Sequence, residues 1–366
     1  MRKGTKLLLA LLAVFALVAA ACGDDSESDA GSGDDGGDDG GDTGDDVSAI
    51  GEGVTVNMAR ANWASGYIQA DIYRQILEQM GYTVSDASEL ELDPSAGYLA
   101  MAEGTADFWT NSWYPGHLTW HEAELPDGSI VGDHITIVDG LFADAGVQGM
   151  LITKSVADEY GITSMQQIND DPDLVALFDD DGDGVGEFFG CQESFTCDDI
   201  IENQIAFYGW ENLEQTKAGY DAMFAEATAL VNEGEPMIIY TWTPSAYVTQ
   251  LIPGDNVLWL TMHPTDVVDD SNPLGIDGGE FHNQGLGFTG FDESLCTQPC
   301  QLGWEPADIQ VTARTEFLEE NPVLTELFPL IRPSVIDISI SARLMRSASR
   351  MTGTTRPLSV PTATPT

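Results

Sequence analysis

Two short motifs place a tryptophan two residues before a proline, each directly after an apolar run. They are residues 113–117 (WYPGH) and residues 240–244 (YTWTP). The face of an indole ring carries diffuse negative potential, so several such faces around one hollow are suited to binding a cation. A single tryptophan before x-Pro at a strand end more often packs in a core, so the motifs need support from their surroundings.

Each motif ends a longer pattern of helix, strand and W-x-P, which suggests an internal repeat. The first copy begins with GYLAM at Gly97 and the second with GYDAM at Gly219. The spacing to the tryptophan is 16 residues for Trp113 and 23 for Trp242, and the difference of seven is close to two helical turns. A chance match is the alternative. A true repeat would bring both indoles to one cleft between two facing lobes.

The elements that position these motifs are short apolar strands alternating with amphipathic helices. Residues 53–63 (GVTVNMARANW) predict a strand and its exit loop, and residues 66–84 predict a helix ended by Gly81 before a second strand. Further strands are predicted at 146–153 and 236–242, and a helix at 219–234. The alternation predicts α/β lobes with mainly parallel sheets, in which ligands bind beyond the carboxyl ends of strands.

Length and charge limit the classes of function. A chain of 366 residues is about right for two lobes of ordinary size. With 13 basic and 61 acidic residues the formal net charge is −48, which repels phosphate backbones and anionic lipid surfaces and argues against nucleic-acid binding. Cations are the natural partners, and we expect a monomer.

The amino terminus predicts export and anchoring. Basic residues at 2, 3 and 6 precede a fifteen-residue apolar run at 7–21, which is shorter than the roughly 20 residues of a membrane-spanning helix. Residues 1–21 therefore predict a signal peptide. Cys22 after three alanines resembles a bacterial lipoprotein processing site, and the acidic, glycine-rich segment 22–47 predicts an extended tether. We expect lipid anchoring at the extracytoplasmic face of the cell membrane; an ordinary signal peptide containing a cysteine is the alternative.

The remaining cysteines fall into two short-range pairs. These are Cys191 with Cys197 and Cys296 with Cys300. Export makes disulfides plausible. A structural zinc held by all four is the competing interpretation, although neither pair has C-x-x-C spacing.

Three stretches together resemble a known family. They are residues 113–117, residues 177–197 (which include DDDGDGVGEFFGC) and residues 240–244. They resemble the glycine betaine and proline betaine binding proteins of osmoprotectant ABC transporters, the ProX-like group, over about residues 52–340. The resemblance implies a type II periplasmic-binding-protein fold, with two α/β lobes closing on a ligand cleft. It also implies delivery of glycine betaine or a related quaternary ammonium compound to a membrane permease driven by a separate ATPase, with no enzymatic activity and no cofactor.

The resemblance also implies roles for individual residues. Trp113 and Trp242 match two walls of an aromatic box, and Phe195 stands where the family member best known has a third tryptophan. His117 matches a histidine that binds the ligand carboxylate. The backbone N–H groups of Thr196 and Cys197 match the other carboxylate donors, beside a disulfide that joins Cys191 to Cys197. Other tryptophans, including Trp63, are expected to pack in the core or on the surface.

Two features of the stretch around Phe195 carry further expectations. A helix is predicted from Asp198 onward, which places its positive end at the ligand carboxylate, and His117 would add a charge-assisted bond if protonated. Asp198 and Asp199 are expected to turn outward and cap that helix.

Residues 179–187 (DDDGDGVGE) resemble a calcium-binding loop. Asp179, Asp181 and Asp183 alternate, and Glu187 stands at the ninth position. The usual bidentate glutamate at the twelfth position is replaced by Gly190. A capped acidic turn leading to the ligand loop is the alternative.

The predicted organisation is a first lobe of residues 48–145 and 255–342 and a second lobe of residues 146–254. After Asp337 the chain has no acid, so residues 343–366 are predicted to be an atypical, disordered tail, either natural or the result of a frame shift near residue 341. The rival functions are a secreted carbohydrate-active enzyme, since carboxylates and tryptophan platforms also suit sugars, and a calcium-stabilised binding module.

Overall fold

Twelve strands form most of the scaffold in the computed structural model, which describes residues 47–264, 292–304 and 306–352. In chain order they are β1 (Thr55–Val56), β2 (Met58–Ala61), β3 (Thr83–Val84), β4 (Glu91–Leu92), β5 (Phe108–Tyr114), β6 (Ile135–Gly146), β7 (Gln148–Thr153), β8 (Gly186–Phe189), β9 (Leu213–Thr216), β10 (Ile238–Trp242), β11 (Val257–Leu260) and β12 (Ala307–Arg314). Apart from the small pair β1–β3, they form two five-stranded sheets.

The two sheets have the same plan. The first has the order β4-β2-β5-β12-β6 and the second the order β9-β8-β10-β7-β11. In each sheet the first three strands are parallel, and the last two pairings are antiparallel. The prediction of mainly parallel sheets is therefore wrong. Each sheet also contains strands that enter from or return to the other lobe, and these supply the antiparallel pairs.

Ten helices cover the sheets within the described residues. They are α1 (Ala64–Gln79), α2 (Pro94–Ala102), α3 (Lys154–Tyr160), α4 (Met165–Asp170), α5 (Pro172–Val175), α6 (Thr196–Tyr208), α7 (Tyr220–Glu233), α8 (Thr315–Glu320), α9 (Pro322–Leu327) and α10 (Val335–Thr352). Short 3-10 turns, among them Gly116–Glu122 and Tyr247–Thr249, connect other elements. None of the helices described here has the length and apolar composition needed to cross a bilayer.

The predicted helix ends agree with the structure because glycine supplies the left-handed backbone there. Gly81 follows the end of α1 with φ of 89°, and Gly234 ends α7 with φ of 77°. A residue with a Cβ adopts this conformation only with strain, so glycine is the usual terminator. The repeat seen in the sequence corresponds to α2–β5 in one lobe and α7–β10 in the other.

The first lobe packs around large aromatic side chains. Tyr73 on α1 and Phe328 near the carboxyl end lie with their ring centroids 5.5 Å apart, and Phe108 on β5 lies 4.9 Å from Phe328. All three are completely or almost completely buried. Segments distant in sequence thus share one core, which positions β5 firmly beneath the cleft.

The second lobe is longer than predicted. Strand β11 pairs antiparallel with β7, with Trp259 opposite Leu151, and Thr297 N–H donates to the carbonyl of Trp259. Residues 257–264 and 292–304 therefore belong with the second sheet, so the predicted boundary at residue 254 is wrong. The sequence pattern of β11 gave no sign of which sheet it would join.

The carboxyl-terminal helix also continues past its predicted end. Helix α10 runs to Thr352 rather than ending near residue 342, so a tail could begin no earlier than residue 353. Arg343 on this helix donates to the carbonyl of Thr249 in the second lobe at 3.5 Å. Residues 353–366, like the predicted signal peptide, Cys22 and most of the acidic tether, lie outside the described residues.

Candidate functional site

One cavity opens between the two lobes at the carboxyl ends of β5 and β10. It is lined by residues from both lobes: Trp63, Pro94, Trp113, Gly116, His117, Gln148, Phe195, Thr196, Cys197, Ile200, Tyr240 and Trp242. All six residues that were expected to bind a ligand are in this set. The structure therefore brings the predicted positions together in one hollow.

The two repeat tryptophans occupy equivalent places. Trp113 is the penultimate residue of β5 and Trp242 the last residue of β10, each the central strand of its sheet. Trp242 packs against Tyr220, with ring centroids 4.6 Å apart, and against Tyr247 at 5.1 Å. Packing against these two tyrosines fixes the position of the indole, which lines the cavity.

A single side-chain oxygen anchors two of the lining indoles. Oδ1 of Asn111 accepts the Nε1–H of Trp113 at 2.6 Å and that of Trp63 at 3.1 Å. The amide nitrogen of Asn111 donates to Oε1 of Gln69 at 2.5 Å, so the acceptor faces the indoles. All these groups are buried, and a buried indole N–H without a partner would be costly. The anchoring leaves both rings fixed in orientation.

Trp63 lines the cavity, which corrects the expectation that it packs only in the core or on the surface. It lies just after β2 and before α1, and its ring centroid is 5.3 Å from that of Phe195 with an interplanar angle of 67°. The available signal was its place after the carboxyl end of a strand beside β5. Gln148 and Tyr240, whose hydroxyl donates to Oε1 of Gln148 at 2.7 Å, were also not predicted.

The opposite side of the cavity is the amino terminus of α6. Thr196 and Cys197 are its first two residues, and their backbone N–H groups precede the helical hydrogen-bond ladder. Neither amide has an acceptor among the described residues. Helix α6 has 13 residues, so its dipole adds positive potential at the same place. The site can thus receive an anionic group.

Two contacts fix this helix start. A disulfide joins Cys191 to Cys197, with Cα atoms 5.8 Å apart, and holds the loop that carries Phe195. The indole Nε1–H of Trp120 in the first lobe donates to Oγ1 of Thr196 at 3.1 Å. The second predicted pair is also bonded, Cys296 to Cys300. Since all four cysteines are used in disulfides, the zinc interpretation is wrong.

Asp198 does not cap the helix. Its Oδ1 lies 2.8 Å from Nζ of Lys217 and accepts from Nε2 of Gln215 at 3.0 Å, and the residue at the cap position is Phe195, whose side chain makes no capping bond. Burial alone would lower the pKa of Lys217, but its bonds to Asp198 and Glu202 raise that pKa to about 12. Lys217 therefore stays charged and neutralises an acid next to the anion side of the site.

Asp199 likewise makes no side-chain cap at this helix start. Its pKa is raised by partial burial and by the neighbouring charge of Asp198. The outward-turning caps expected from the sequence are replaced by the lysine-centred cluster.

His117 is neutral in the absence of ligand. It is 4% exposed, and burial, together with the nearby His121, lowers its pKa to about 3. Its Nδ1 accepts the backbone N–H of Trp113 at 3.2 Å, so the ring proton lies on Nε2. The expected charge-assisted bond is thus replaced by a neutral N–H donor.

The acidic loop brings three of its four predicted ligands together. Carboxylate oxygens of Asp179, Asp181 and Glu187 lie within 4.8 Å of one another, and Asp183 is not in that group. Asp179 already accepts three backbone N–H groups, from residues 182, 183 and 184. The geometry fits both a calcium site and a self-capped turn, so calcium binding remains a prediction.

Comparison with known proteins places the chain among solute-binding proteins. A family model described as the substrate binding domain of ABC-type glycine betaine transport system matches residues 54–354. The match reaches into the region predicted to be an atypical tail.

Two curated relatives are similar along most of their length. The glycine betaine/proline betaine-binding periplasmic protein of Escherichia coli (strain K12) is 29% identical over 304 residues, covering 83% of this chain and 84% of that protein. The glycine betaine-binding periplasmic protein OusX of Dickeya dadantii (strain 3937) is 29% identical over 290 residues, covering 79% of each.

Solved structures show the same fold at low sequence identity. The glycine betaine, L-proline transporter binding protein ProX from Borrelia burgdorferi has a TM-score of 0.56 at 13% identity, with 80% of this chain and 88% of that chain covered. Lactococcal OpuAC in its closed, glycine betaine-liganded form has a TM-score of 0.55 at 13% identity, with 80% and 90% covered. The fold is that of the type II periplasmic binding proteins, with two α/β lobes and a cleft between them.

Proposed function

Because the chain belongs to the family of substrate-binding domains of ABC-type glycine betaine transport systems, we propose that its cavity binds glycine betaine or a related quaternary ammonium osmoprotectant. The single observation that carries the proposal is the convergence of Trp113 and Trp242, from the matching strands of two lobes, on one cavity that also contains the free amides of α6.

The aromatic side of the cavity is suited to the methylated nitrogen. A trimethylammonium group has no N–H to donate, so aromatic faces offer it diffuse negative potential over its whole surface, up to about 2 kcal/mol for each desolvated contact. Trp113, Phe195 and Trp242 all line the cavity. Micromolar binding requires about 8 kcal/mol, so the aromatic contacts need a second contribution.

The amide side of the cavity supplies that contribution. The backbone N–H groups of Thr196 and Cys197 point to the carboxylate of the ligand in this proposal, at the positive end of a 13-residue helix. Nε2–H of His117 adds a neutral donor. A zwitterion whose two charges are about one methylene apart matches a cavity that is aromatic at one side and rich in N–H at the other.

The proposed setting is extracytoplasmic. The predicted signal peptide at 1–21, the resemblance of Cys22 to a lipoprotein processing site and the acidic segment that follows support a protein tethered to the outer side of the cell membrane. We expect this protein to be a monomer. It delivers its ligand to permease subunits in that membrane. No cofactor is required for this role, and calcium at Asp179, Asp181 and Glu187 is proposed only as a structural addition.

Isothermal titration calorimetry with glycine betaine, proline betaine, carnitine and choline, against a panel of sugars, tests the proposal. We expect saturable heat with one or more of the quaternary ammonium compounds and none with sugars. Saturation or turnover of a glycan, with no response to any quaternary ammonium compound, would instead support the carbohydrate-active alternative.

The variant Trp242→Ala tests the aromatic cage directly. Loss of the indole should abolish betaine binding while circular dichroism retains the wild-type spectrum. Because Trp242 packs against Tyr220 and Tyr247, the variant Trp242→Phe is the control that keeps a ring there. Unchanged betaine affinity in the folded alanine variant would reject the cage.

A further inference from the structure

We propose that Tyr98 is a positioning residue for ligand binding: its hydroxyl donates to Nδ1 of His117 and so keeps the ring proton on Nε2, the nitrogen left for the cavity. His117 lines the cavity and Tyr98 does not. The inference rests on the proposed function, since a donor at His117 serves a ligand that carries a carboxylate. It goes beyond that function by assigning control of the donor to a residue that does not touch the ligand.

The tautomer of His117 decides whether this part of the cavity attracts or repels a carboxylate. Burial lowers the pKa of His117 to about 3, so the ring is neutral and carries one N–H. Its Nδ1 lies 3.2 Å from the backbone nitrogen of Trp113 and 3.1 Å from the hydroxyl of Tyr98. Its Nε2 has no hydrogen-bond partner in the part of the chain that the structure describes. A proton on Nε2 offers the ligand a donor, whereas a proton on Nδ1 would leave a repelling lone pair on Nε2.

Both neighbours of Nδ1 act as donors. The backbone N–H of Trp113 can only donate, so Nδ1 of His117 accepts. Burial, together with the nearby Tyr114, raises the pKa of Tyr98 well above its ordinary value, so the Tyr98 hydroxyl keeps its single proton. The other acceptor within reach of that proton is the hydroxyl oxygen of Tyr114, at 3.3 Å. It is more distant and less basic than the imidazole nitrogen, so the proton is directed to His117.

The hydroxyl of Tyr114 has other partners and does not need the proton of Tyr98. It lies 2.7 Å from Oγ1 of Thr312 and 3.0 Å from Nε2 of His121. Thr312 in turn lies 2.7 Å from Oγ of Ser112. These hydroxyls are buried between β5 and β12, where an unpaired polar group is costly. Because they satisfy one another, Tyr98 is left to serve His117.

The internal repeat places a tyrosine hydroxyl next to the cavity residues of both lobes. Tyr98 and Tyr220 are the second residues of GYLAM and GYDAM, and both are buried. In the second lobe the hydroxyl of Tyr220 donates to the backbone carbonyl of Tyr240, which lines the cavity. In the first lobe the equivalent hydroxyl meets the side chain of His117 instead. The same position thus supports the backbone in one lobe and a ligand-binding side chain in the other.

Packing fixes Tyr98 relative to His117. The Tyr98 side chain on α2 is completely buried, and its ring stacks on Trp109 with centroids 6.3 Å apart and an interplanar angle of 19°. Gly97 permits this close approach, since a Cβ there would lie 2.1 Å from the ring of Trp109. The rings of Tyr98 and His117 meet edge to face at 5.6 Å. The donor is therefore in place before a ligand arrives, and no side-chain ordering is required on binding.

Nitrogen NMR of the ligand-free protein tests the inference without any ligand. In the wild type at pH 7 we expect His117 to show a protonated Nε2 and an unprotonated Nδ1, with the signals assigned by their loss in His117→Gln. In Tyr98→Phe both signals should move toward values averaged between the two tautomers. Tyr73→Phe is the matched control, because Tyr73 is also completely buried in the first lobe and its hydroxyl donates to the carbonyl of Phe328. It should leave the His117 signals unchanged.

Calorimetric titration with glycine betaine tests the consequence for binding. Tyr98→Phe should lower the affinity by about fivefold to twentyfold, the size of effect expected for one buried hydrogen bond. Tyr73→Phe should leave it unchanged. Tyr114→Phe removes a neighbouring buried hydroxyl that does not contact His117, so its affinity should stay within about threefold of wild type. Thermal unfolding shows whether each variant is folded.

The inference requires both effects in Tyr98→Phe. Unchanged His117 signals or unchanged betaine affinity in the folded variant would overturn it, and so would equal losses of affinity in Tyr98→Phe and Tyr114→Phe. If Tyr98→Phe does not fold, the wild-type spectrum still decides, because a protonated Nδ1 at pH 7 contradicts the inference.

The same measurements separate the two proposals. If the wild type binds no quaternary ammonium compound, the proposed function fails, while the His117 signals still report whether Tyr98 sets the tautomer. If the wild type binds glycine betaine and Tyr98→Phe binds it equally well, only the role of Tyr98 fails.

Discussion

Lys217 holds Asp198 at 2.8 Å, one residue past the two amides at the start of α6. The chain has a net charge of −48, and an unpaired carboxylate at this place would repel the carboxylate of a ligand. The pairing with Lys217 neutralises that carboxylate. Gln215 extends the cluster, since it donates to Asp198 and accepts the N–H of Cys191 through its Oε1. The anion side of the cavity thus depends on a cation that does not line it.

The variant Lys217→Met should lower betaine affinity. Without Lys217, the carboxylate of Asp198 would repel the carboxylate of the ligand. At a separation of about 10 Å and an effective dielectric constant of about 20, this repulsion is about 1.7 kcal/mol. We therefore expect about a tenfold loss of affinity at low salt in calorimetric titration. The loss should shrink as salt screens the exposed part of the interaction.

Two further variants test this electrostatic explanation. Adding Asp198→Asn to Lys217→Met should restore affinity, because the repelling charge is gone. Lys154→Met is the matched control, since Lys154 pairs with Asp158 on α3, at the opposite end of β7 from the cavity. An equal loss in both lysine variants would contradict the explanation.

Betaine affinity should be nearly constant between pH 6 and 8. His117 has its pKa lowered to about 3 by burial, so it is neutral throughout that range and gains no proton on binding. If the ligand carboxylate raises that pKa, the affinity increases only at lower pH, where the complex takes up a proton. Calorimetry in buffers of different ionisation enthalpy should show no proton uptake at pH 7; a tenfold fall in affinity from pH 6 to 8 would indicate a charged His117.

The same burial makes the ligand-free protein less stable in acid. An unfolded histidine takes up its proton near pH 6.5, whereas folded His117 does so only near pH 3, so the unfolded state binds more protons between these values. The free energy of unfolding therefore falls as pH falls through that window, by about 2 kcal/mol from pH 7 to 5 for this one group. Urea unfolding of wild type and His117→Gln at both pH values should show this difference in slope; parallel slopes would contradict it.

Asn111 should matter for both affinity and stability. Asn111→Ala leaves two buried indole N–H groups, of Trp63 and Trp113, without their acceptor, at about 1–3 kcal/mol for each unsatisfied group. We expect a lower free energy of unfolding and at least tenfold weaker betaine binding. Thr110→Val on the same strand is the control, since the buried Thr110 hydroxyl has no hydrogen-bond partner within the described residues; a comparable loss in both would argue against the anchoring role.

Calcium should raise the melting temperature if the acidic loop binds it. The convergence of Asp179, Asp181 and Glu187 motivates the test, and linkage predicts a stabilisation that grows with calcium concentration. Differential scanning calorimetry with calcium and with chelator should show the shift in wild type and in Asp180→Asn, but not in Asp179→Asn. If the melting temperature of the wild type does not change up to millimolar calcium, the loop binds no calcium and is a self-capped turn.

The sequence predicted the cavity residues that belong to a repeated motif. It did not predict the residues whose function depends on contacts with distant parts of the chain. Trp113 and Trp242 stood out because each ends a copy of the same helix and strand pattern. Trp63 belongs to no repeat. Its position at the cavity depends on contacts with Asn111 and Phe195, which are distant in sequence. The neutrality of His117 and the pairing of Lys217 with Asp198 likewise arise from burial and proximity that only the fold creates.

Strand assignment shows the same limit at the level of the fold. The predicted bounds of α1 and α7 agree with the structure because local glycines terminate them. The sheet to which β11 belongs is decided by its pairing with β7, about a hundred residues earlier. Antiparallel pairing was missed for the same reason, since strand direction within a sheet is a property of the whole topology.

The chain passes from the first sheet to the second at residues 146–148, and Gln148, just beyond that passage, lines the cavity. The position equivalent to a Cβ on Gly146 would lie 2.9 Å from the ring of Trp113, so this passage also adjoins the aromatic wall. Any hinge motion about this segment must shift Gln148 relative to Trp113. A change in the angle between the two sheets would therefore alter the cavity wall itself, because the connecting segment contributes to that wall.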